Sequence, residues 1–446
     1  MQTSTRLDDR VRPDATFRRL ERDLAGLGAP TGHRAPMAFW VPGRIEVLGK
    51  HTDYGGGRSL LCAVERGISA VARIRDADPP NAPRVRIRDA KSNLVAEFDI
   101  SATVPAAPGT WSNYPITVAR RIAANFGGPL RGADIVFWSD IPHAAGVSSS
   151  SALVVMTFLA LGAANDFEAR PAYRDAIRGA DDLAGYLGAV ENGLDFAALR
   201  GDQGVGTFGG SEDHTAILAA RRDALVQYRF CPVTFERAIP MPRDAVFVVA
   251  SSGVQAEKTG AALERYNDVS RRLQVALACW RRATGRADAS MGAALASAPD
   301  ARERVLSALG SEHGHEYPPA SLIERVEQFD TETNDIIPAA GDALARGDLA
   351  AFGAQVARSQ QGAEQALHNQ IRETVALVRH ALALGAFAAS AFGAGFGGSV
   401  WALVNRDLAS EFRDRWAVAY RTDFPEAGPR SEFFTTGAGA PAARLA

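Results

Sequence analysis

Apolar positions recur every three to four residues over residues 18–27, which predicts an amphipathic helix. Residues 37–48 (MAFWVPGRIEVL) then read as strand, tight turn and strand, with Pro42 and Gly43 marking the turn. β-rich stretches at 60–74 and 85–100 precede a helix expected over 113–126 and a strand over 133–138. Residues 140–151 form a Pro/Gly/Ser loop that runs into the apolar segment 152–164, so the order there is strand, loop, buried helix. A second helix over 173–191, a Gly-rich stretch at 201–210 and short strands at 225–230 and 245–250 follow. The remainder predicts long helices over 257–284, 332–346 and 362–384. Over 388–404 a Gly-rich loop is expected between a helix and the strand VWALV. Sheets and helices mix in both halves, which indicates an α+β protein with a cleft between lobes at 1–235 and 236–446.

Composition narrows the partners. The chain has 446 residues, 46% of them hydrophobic, and 49 basic residues face 51 acidic ones, so no excess charge recommends nucleic acid or an acidic membrane. A small-molecule partner is expected, for a monomer or homodimer. The three cysteines, Cys62, Cys231 and Cys279, include no C-x-x-C pair, which fits a reducing cytoplasm better than a disulfide framework. The first residues carry acids and no apolar core, and Thr157 and Gly162 interrupt the longest apolar run, so neither a signal peptide nor a membrane span is expected. Lysine occurs only at Lys50, Lys91 and Lys258, with arginine at every other basic position.

The segment IPHAAGVSSSSAL (residues 141–153) places small residues just before a helix, where unpaired backbone N–H groups and the positive dipole end hold anions. Gly146, followed by Val147, would let the backbone approach a phosphate closely, and Ser148, Ser149, Ser150 and Ser151 supply hydroxyls; a Ser-rich helix cap is the plainer reading. No Walker loop and no protein-kinase H-R-D or D-F-G set occurs. The segment resembles the P-x-x-x-G-L-S-S-S-A phosphate loop of the small-molecule kinases that group galactokinase with homoserine, mevalonate and phosphomevalonate kinases (the GHMP kinases). PGRIEVLGKHTDY (residues 42–54) likewise resembles that family's galactokinase-type signature, G-R-x-N-x-I-G-E-H-x-D-Y. SAFGAGFGGS (residues 390–399) resembles its G-A-G-F-G-G loop, and its position before a strand argues against a dinucleotide-binding reading of G-x-G-x-x-G.

The resemblance implies a two-lobed fold, a ribosomal-protein-S5-domain-2-like lobe followed by a ferredoxin-like lobe, with the active site in the cleft. It also implies transfer of the ATP γ-phosphate, with Mg²⁺, to the anomeric hydroxyl of a hexose, galactose first. Arg44 would sit by the reacting hydroxyl, and His51 and Asp53 would bind sugar hydroxyls. Lys50 replaces the family's Glu, so either the hydroxyl pattern read there differs or the substrate carries a carboxylate, as galacturonate does. Glu191, in VEN, matches the Mg²⁺ ligand of the family and would act with Ser150. For the base, Asp213 is preferred because the stretch after it resembles the family without a gap; Asp202, in GDQ, is the alternative, and residues 194–206 hold the extra length. Glu212 and His214 are expected to be solvated or hydrogen-bonded loop residues. Trp111, in WSNY, would line the adenine pocket or else pack in the core, and Tyr266 would touch the sugar or else lie on the surface. Lys258 is not expected to face the cleft. A sugar-sensing regulator without turnover is the rival of another class.

Overall fold

The computed structural model describes residues 14–28, 35–75, 78–79, 82–142, 146–254, 260–311 and 316–445. The chain opens with helix α1 (Asp14–Ala25), strands β1 (Met37–Leu48), β2 (Arg58–Arg75), β3 (Arg84–Asp89) and β4 (Val95–Asp99), helix α2 (Asn113–Phe126) and strand β5 (Gly132–Ser139). Helices α3 (Ser149–Asn165), α4 (Pro171–Ala176), α5 (Ala180–Asn192) and α6 (Glu212–Ala219) follow, then the hairpin β6 (Ala224–Arg229) and β7 (Thr234–Pro240). After β8 (Ala245–Ser251) come α7 (Gly260–Thr284), α8 (Met291–Leu295), α9 (Ala301–Ser311), α10 (Pro319–Asp330), α11 (Ile337–Ala345), α12 (Leu349–Gly362) and α13 (Arg372–Ala383). Strands β9 (Ala388–Phe392) and β10 (Ser399–Asn405), helix α14 (Ala409–Asp423), β11 (Glu432–Thr436) and β12 (Ala443–Arg444) complete the chain.

Two sheets result. The first has the order β12-β1-β2-β5-β3-β4, with β6 also paired to β2 and β7 to β6; the second is antiparallel with the order β11-β8-β10-β9. Strand β8, helix α13, strands β9 and β10, helix α14 and strand β11 give the second sheet a β-α-β-β-α-β connectivity. One face of it packs Val248, Ala391 and Val400 on Leu377 of α13 and Trp416 of α14. Phe247, Trp401 and Leu403 on the other face join Ile337, Phe352 and the strands of the first sheet in one continuous core. The lobes therefore share buried apolar surface rather than meeting across a polar seam. Residue 235, expected as the boundary, falls inside β7, which is paired to the first sheet. We propose that the division lies after Pro240, where the chain leaves that sheet.

Helix α3 is apolar on nearly every side because it runs through this core, with all residues from Ser151 to Leu161 buried. The stretch 37–48 is one strand and not two: Pro42 and Gly43 produce a register shift in the pairing with β2, and the strand continues. A Cβ at Gly43 would stand 2.8 Å from Val147 O, so glycine lets β1 lie against the loop before α3. The helix expected over 173–191 is broken at residues 177–179, where Asp182 Oδ2 accepts the N–H of Arg178 at 2.9 Å and opens α5. The helix expected from 332 begins earlier, since α10 passes through a π-helical turn, Thr331–Ile336, into α11. Pro338 has no N–H to give that ladder, and Thr333 O takes Arg58 Nη1 instead at 3.2 Å. The helix expected over 362–384 is a second π-helical turn, Ala363–Leu367, that continues from the end of α12, and then α13, separated where His368 adopts φ 52°. Residues 388–392 form a strand, so the Gly-rich loop is a hairpin connection between β9 and β10. Helix α7 is described from Gly260, and Lys258 lies outside the described residues.

Candidate active site

The loop before α3 enters the helix through left-handed turns, with φ 73° at Gly146 and 58° at Ser148. The first turn of α3 then presents N–H groups that have no carbonyl partner within the helix. Ser148 Oγ is buried there without a hydrogen-bond partner among the described residues, an unsatisfied hydroxyl at the helix end that favours anions. His143 to Ala145 lie outside the described residues. The Gly-rich hairpin closes over this loop: a Cβ at Gly393 would stand 3.0 Å from Gly146 O. Ser150 is hydrogen-bonded to the Tyr114 phenol, whose pKa burial and then the Glu191 charge push up to about 12.

Arg44 links the loop to the opposite wall. Its Nε and Nη2 lie 2.7 and 2.6 Å from Asp213 Oδ1, and its Nη1 donates to Gly146 O. Burial alone would lower the Arg44 pKa, but Asp213, Glu212 and Glu46 more than offset it, and the pKa ends raised. Asp213 stands in the first turn of α6, and its Oδ2 lies 3.3 Å from Ser151 Oγ, which also donates to Glu191 Oε2 at 2.9 Å. His214 Nε2 is 3.1 Å from the same Glu191 oxygen. The phosphate loop, the first motif and both acids thus converge within a few bond lengths.

The adjoining pocket is lined by Arg44, His51, Asp53, Glu191, Asp213 and Tyr266, together with Glu46 and Glu212. His51 is held by Tyr54 Oη at 3.1 Å and by the Ala394 carbonyl at 3.3 Å, while Arg325 fixes its backbone oxygen at 2.6 Å. Asp53 Oδ2 accepts the Glu212 N–H at 3.0 Å, so one carboxylate both faces the pocket and caps α6. The Tyr266 ring lies 5.4 Å from that of His51, and burial, with the Asp53 charge, raises the pKa of its phenol well above the ordinary value. Glycine is required in the wall: a Cβ at Gly210 would meet Asp53 Oδ2 at 2.3 Å.

Several expectations need correction here. Lys50 does not line the pocket; its Nζ is buried and donates to Ser390 Oγ at 2.8 Å, on the strand beneath the Gly-rich loop. Glu212 and His214 are neither solvated nor in a loop, since both are buried on α6 and line the pocket, and Ser59 Oγ donates to Glu212 at 2.6 Å. Asp202 is outside the pocket, ion-paired to Arg120 at 2.5 Å, and the surrounding segment closes over Arg120 and Arg121 through the carbonyls of Gly204 and Leu194. Trp111 packs on Phe137, with ring centres 6.0 Å apart. Sequence reasoning missed Tyr114, three residues on in the same WSNY motif. It missed Asn192, whose amide holds Gly210 O at 2.9 Å and whose oxygen takes the Gly209 N–H at 2.9 Å. It also missed Glu46, although the signature carries Asn there.

Fold and site together define a phosphotransferase of the GHMP kinase class. Family profiles agree: GHMP kinases N terminal domain matches residues 113–201, GHMP kinases C terminal matches 342–421, and the galactokinase galactose-binding signature matches 31–74. A galactokinase of Lactococcus lactis, solved in complex with galactose, superposes with TM-score 0.76 at 22% identity over 97% of this chain and 100% of its own. Methanococcus jannaschii mevalonate kinase superposes with TM-score 0.55 at 13% identity, over 92% of this chain and 100% of its own. Galactokinase of Chloroflexus aggregans is 32% identical over 376 residues, 83% of this chain and 85% of its own length. That of Chloroflexus aurantiacus is 30% identical over 387 residues, 85% and 87% of the two chains. Within the class, this chain belongs to the galactokinase family.

Proposed function

We propose that this chain transfers the γ-phosphoryl group of ATP to the anomeric hydroxyl of galactose, giving galactose 1-phosphate and ADP. The observation that carries the assignment is the Arg44–Asp213 pair, set where the phosphate loop opens onto the hydroxyl-binding pocket. Residues Gly146 to Ser151 cradle the phosphates, and Trp111 borders the adenine. His51, Asp53 and Tyr266 take sugar hydroxyls. Arg44 fixes Oδ1 of Asp213 and Ser151 Oγ lies 3.3 Å from Oδ2, which orients the carboxylate that would receive the sugar proton late in a loose transition state. Arg44 also orients the reacting oxygen and stabilises charge on the transferring group.

The residues fit Mg²⁺. Among the described residues no group of three or more acidic, His or Cys side chains forms a ready cage. The carboxylate of Glu191 is nevertheless held at the phosphate loop by Ser151, and Mg²⁺ suits sites of one or two protein ligands completed by phosphate oxygens. Glu191 and Ser150 would hold the ion, which when bound neutralises phosphate charge.

The pocket favours a neutral hexose over a uronate. Glu46, Asp53, Glu191, Glu212 and Asp213 line it, while the ammonium expected to receive a carboxylate is bonded to Ser390. An intact Arg44–Asp213 pair likewise favours turnover over silent sensing. With no membrane-length apolar helix among the described residues and three cysteines that form no disulfide with one another, we place the enzyme in the cytoplasm. An ADP-coupled assay with galactose, galacturonate and no sugar tests the reading. Galactose should raise ADP release far above the sugar-free rate. Equal or better turnover of galacturonate, or no sugar-dependent ADP at all, would overturn it.

A further inference from the structure

Arg44 and Glu46 are two residues apart on β1, so their side chains leave the same face of the strand, and both reach the pocket lining. Glu46 is buried, at 3% exposure. Its Oε2 receives the Gly393 N–H, at a long 3.3 Å, the Glu212 carboxyl is hydrogen-bonded to the same side chain, and no N–H or hydroxyl donor reaches Oε1 among the described residues. A buried carboxyl that faces a ligand pocket with a second acid beside it, and with no N–H or hydroxyl on one of its oxygens, is costly in the empty protein and is relieved when a ligand brings a neutral donor. The neighbours are arranged to keep the acid there. Lys50, Arg44, Glu212 and Glu332 set its field from β1, the turn after it, α6 and the π-helical turn. Lys50 is anchored on Ser390 behind the wall, and Glu332 is tied to the Gly49 N–H at 3.0 Å and to Ser359 at 2.8 Å. In the galactokinase-type signature these two positions hold Asn and Glu; here the acid stands at 46, in the lining, and the cation at 50, out of it.

We propose that Glu46 is a specificity-determining residue which accepts a hydrogen bond from a hydroxyl of the neutral sugar, with Lys50 as its fixed counter-charge and not as a substrate ligand. The inference rests on the reading of this pocket as the sugar site. It is tested by calorimetric binding of galactose and its 2-, 3-, 4- and 6-deoxy analogues to the full chain with a non-hydrolysable ATP analogue. Glu46→Met removes the acceptor at similar volume, and Glu46→Asn installs the residue of the signature. ATP-analogue binding certifies that each variant is folded. At pH 8, where Glu46 is ionised, both variants should bind galactose about 10- to 100-fold more weakly, the worth of one hydrogen bond to a charged acceptor. For one deoxy analogue, wild type and variants should bind alike, because the contact is already missing. A folded variant that binds galactose as wild type does, or that loses the same factor against every deoxy analogue, overturns the proposal. If the wild type turns over galactose in either case, only this inference falls. If the wild type neither binds nor phosphorylates any neutral hexose, the functional reading falls and this one with it.

Discussion

Replacing Gly210 by alanine should damage sugar recognition without replacing any side chain named in the chemistry. The added Cβ would stand 2.3 Å from Asp53 Oδ2, 2.6 Å from its Cγ and 2.9 Å from Tyr54 N. An ordinary contact needs ~3.4 Å, so the carboxylate has to retreat by about 1 Å. That movement breaks the 3.0 Å bond from the Glu212 N–H to Asp53, worth about 1.5–3 kcal/mol for a charged acceptor. Misplacing a substrate-positioning group by about 1 Å costs on the order of 100-fold in rate. In an ADP-coupled assay the variant should raise KM for galactose by about 10- to 100-fold, while KM for ATP stays close to wild type. Gly179→Ala is the control, because a Cβ there meets nothing within 4 Å and the backbone is extended. A Gly210→Ala enzyme with unchanged galactose KM would show that Asp53 does not hold the sugar, and the pocket assignment would fail.

Asp202→Asn should separate the two aspartates. It weakens the ion pair with Arg120, so the thermal midpoint should fall, yet kcat of the folded fraction should stay within about threefold of wild type; a collapse of kcat at constant stability would return the base to Asp202. Glu46 should leave a signature in stability against pH. Burial raises its pKa from 4.5 to about 7, against the pull of Lys50 and Arg44. A raised folded-state pKa means stability that is fully present below 4.5 and is lost as pH rises to about 7. At about 1.4 kcal/mol per pH unit the loss is on the order of 3 kcal/mol. Glu46→Gln should therefore gain on wild type, by a few degrees in Tm, at pH 8 relative to pH 5; an equal difference at both pH values would contradict the buried-acid picture. Arg44→Lys keeps the charge but loses the fork on Asp213 and Gly146, and kcat should fall by about 100-fold or more, measured at saturating ATP and galactose.

The sequence disclosed most where short-range chemistry decides the structure. The helix over 113–126 begins and ends where its periodicity says, and the apolar run of α3 could only be buried. The phosphate loop and the β1 motif were legible because each joins glycine to a fixed set of polar residues. Long-range pairing decided the rest. AASAF, at 388–392, has the small residues of a helix, and only its ladder with β10 makes it a strand. Pro42-Gly43 has turn chemistry but lies in a central strand, where it becomes a bulge that aims Arg44 at the loop. The direction of Lys50 could not be read, because the register shift between Glu46 and Leu48 and the φ of 124° at Gly49 break the alternation that would have put positions 46 and 50 on one face. Asp202 and Asp213 are drawn to different places by arginines distant in sequence, Arg120 for one and Arg44 for the other, which no local motif reveals.

Phosphorus NMR of the reaction with Mg·ATP and galactose, run with wild type and Asp213→Asn side by side, tests the central claim most directly. The wild type should convert the γ-phosphate resonance into that of a phosphate on the anomeric carbon. Asp213→Asn should form the same product about 1,000-fold more slowly while binding ATP nearly as well. A phosphate on any other carbon, or an Asp213→Asn enzyme of near wild-type rate, would contradict it.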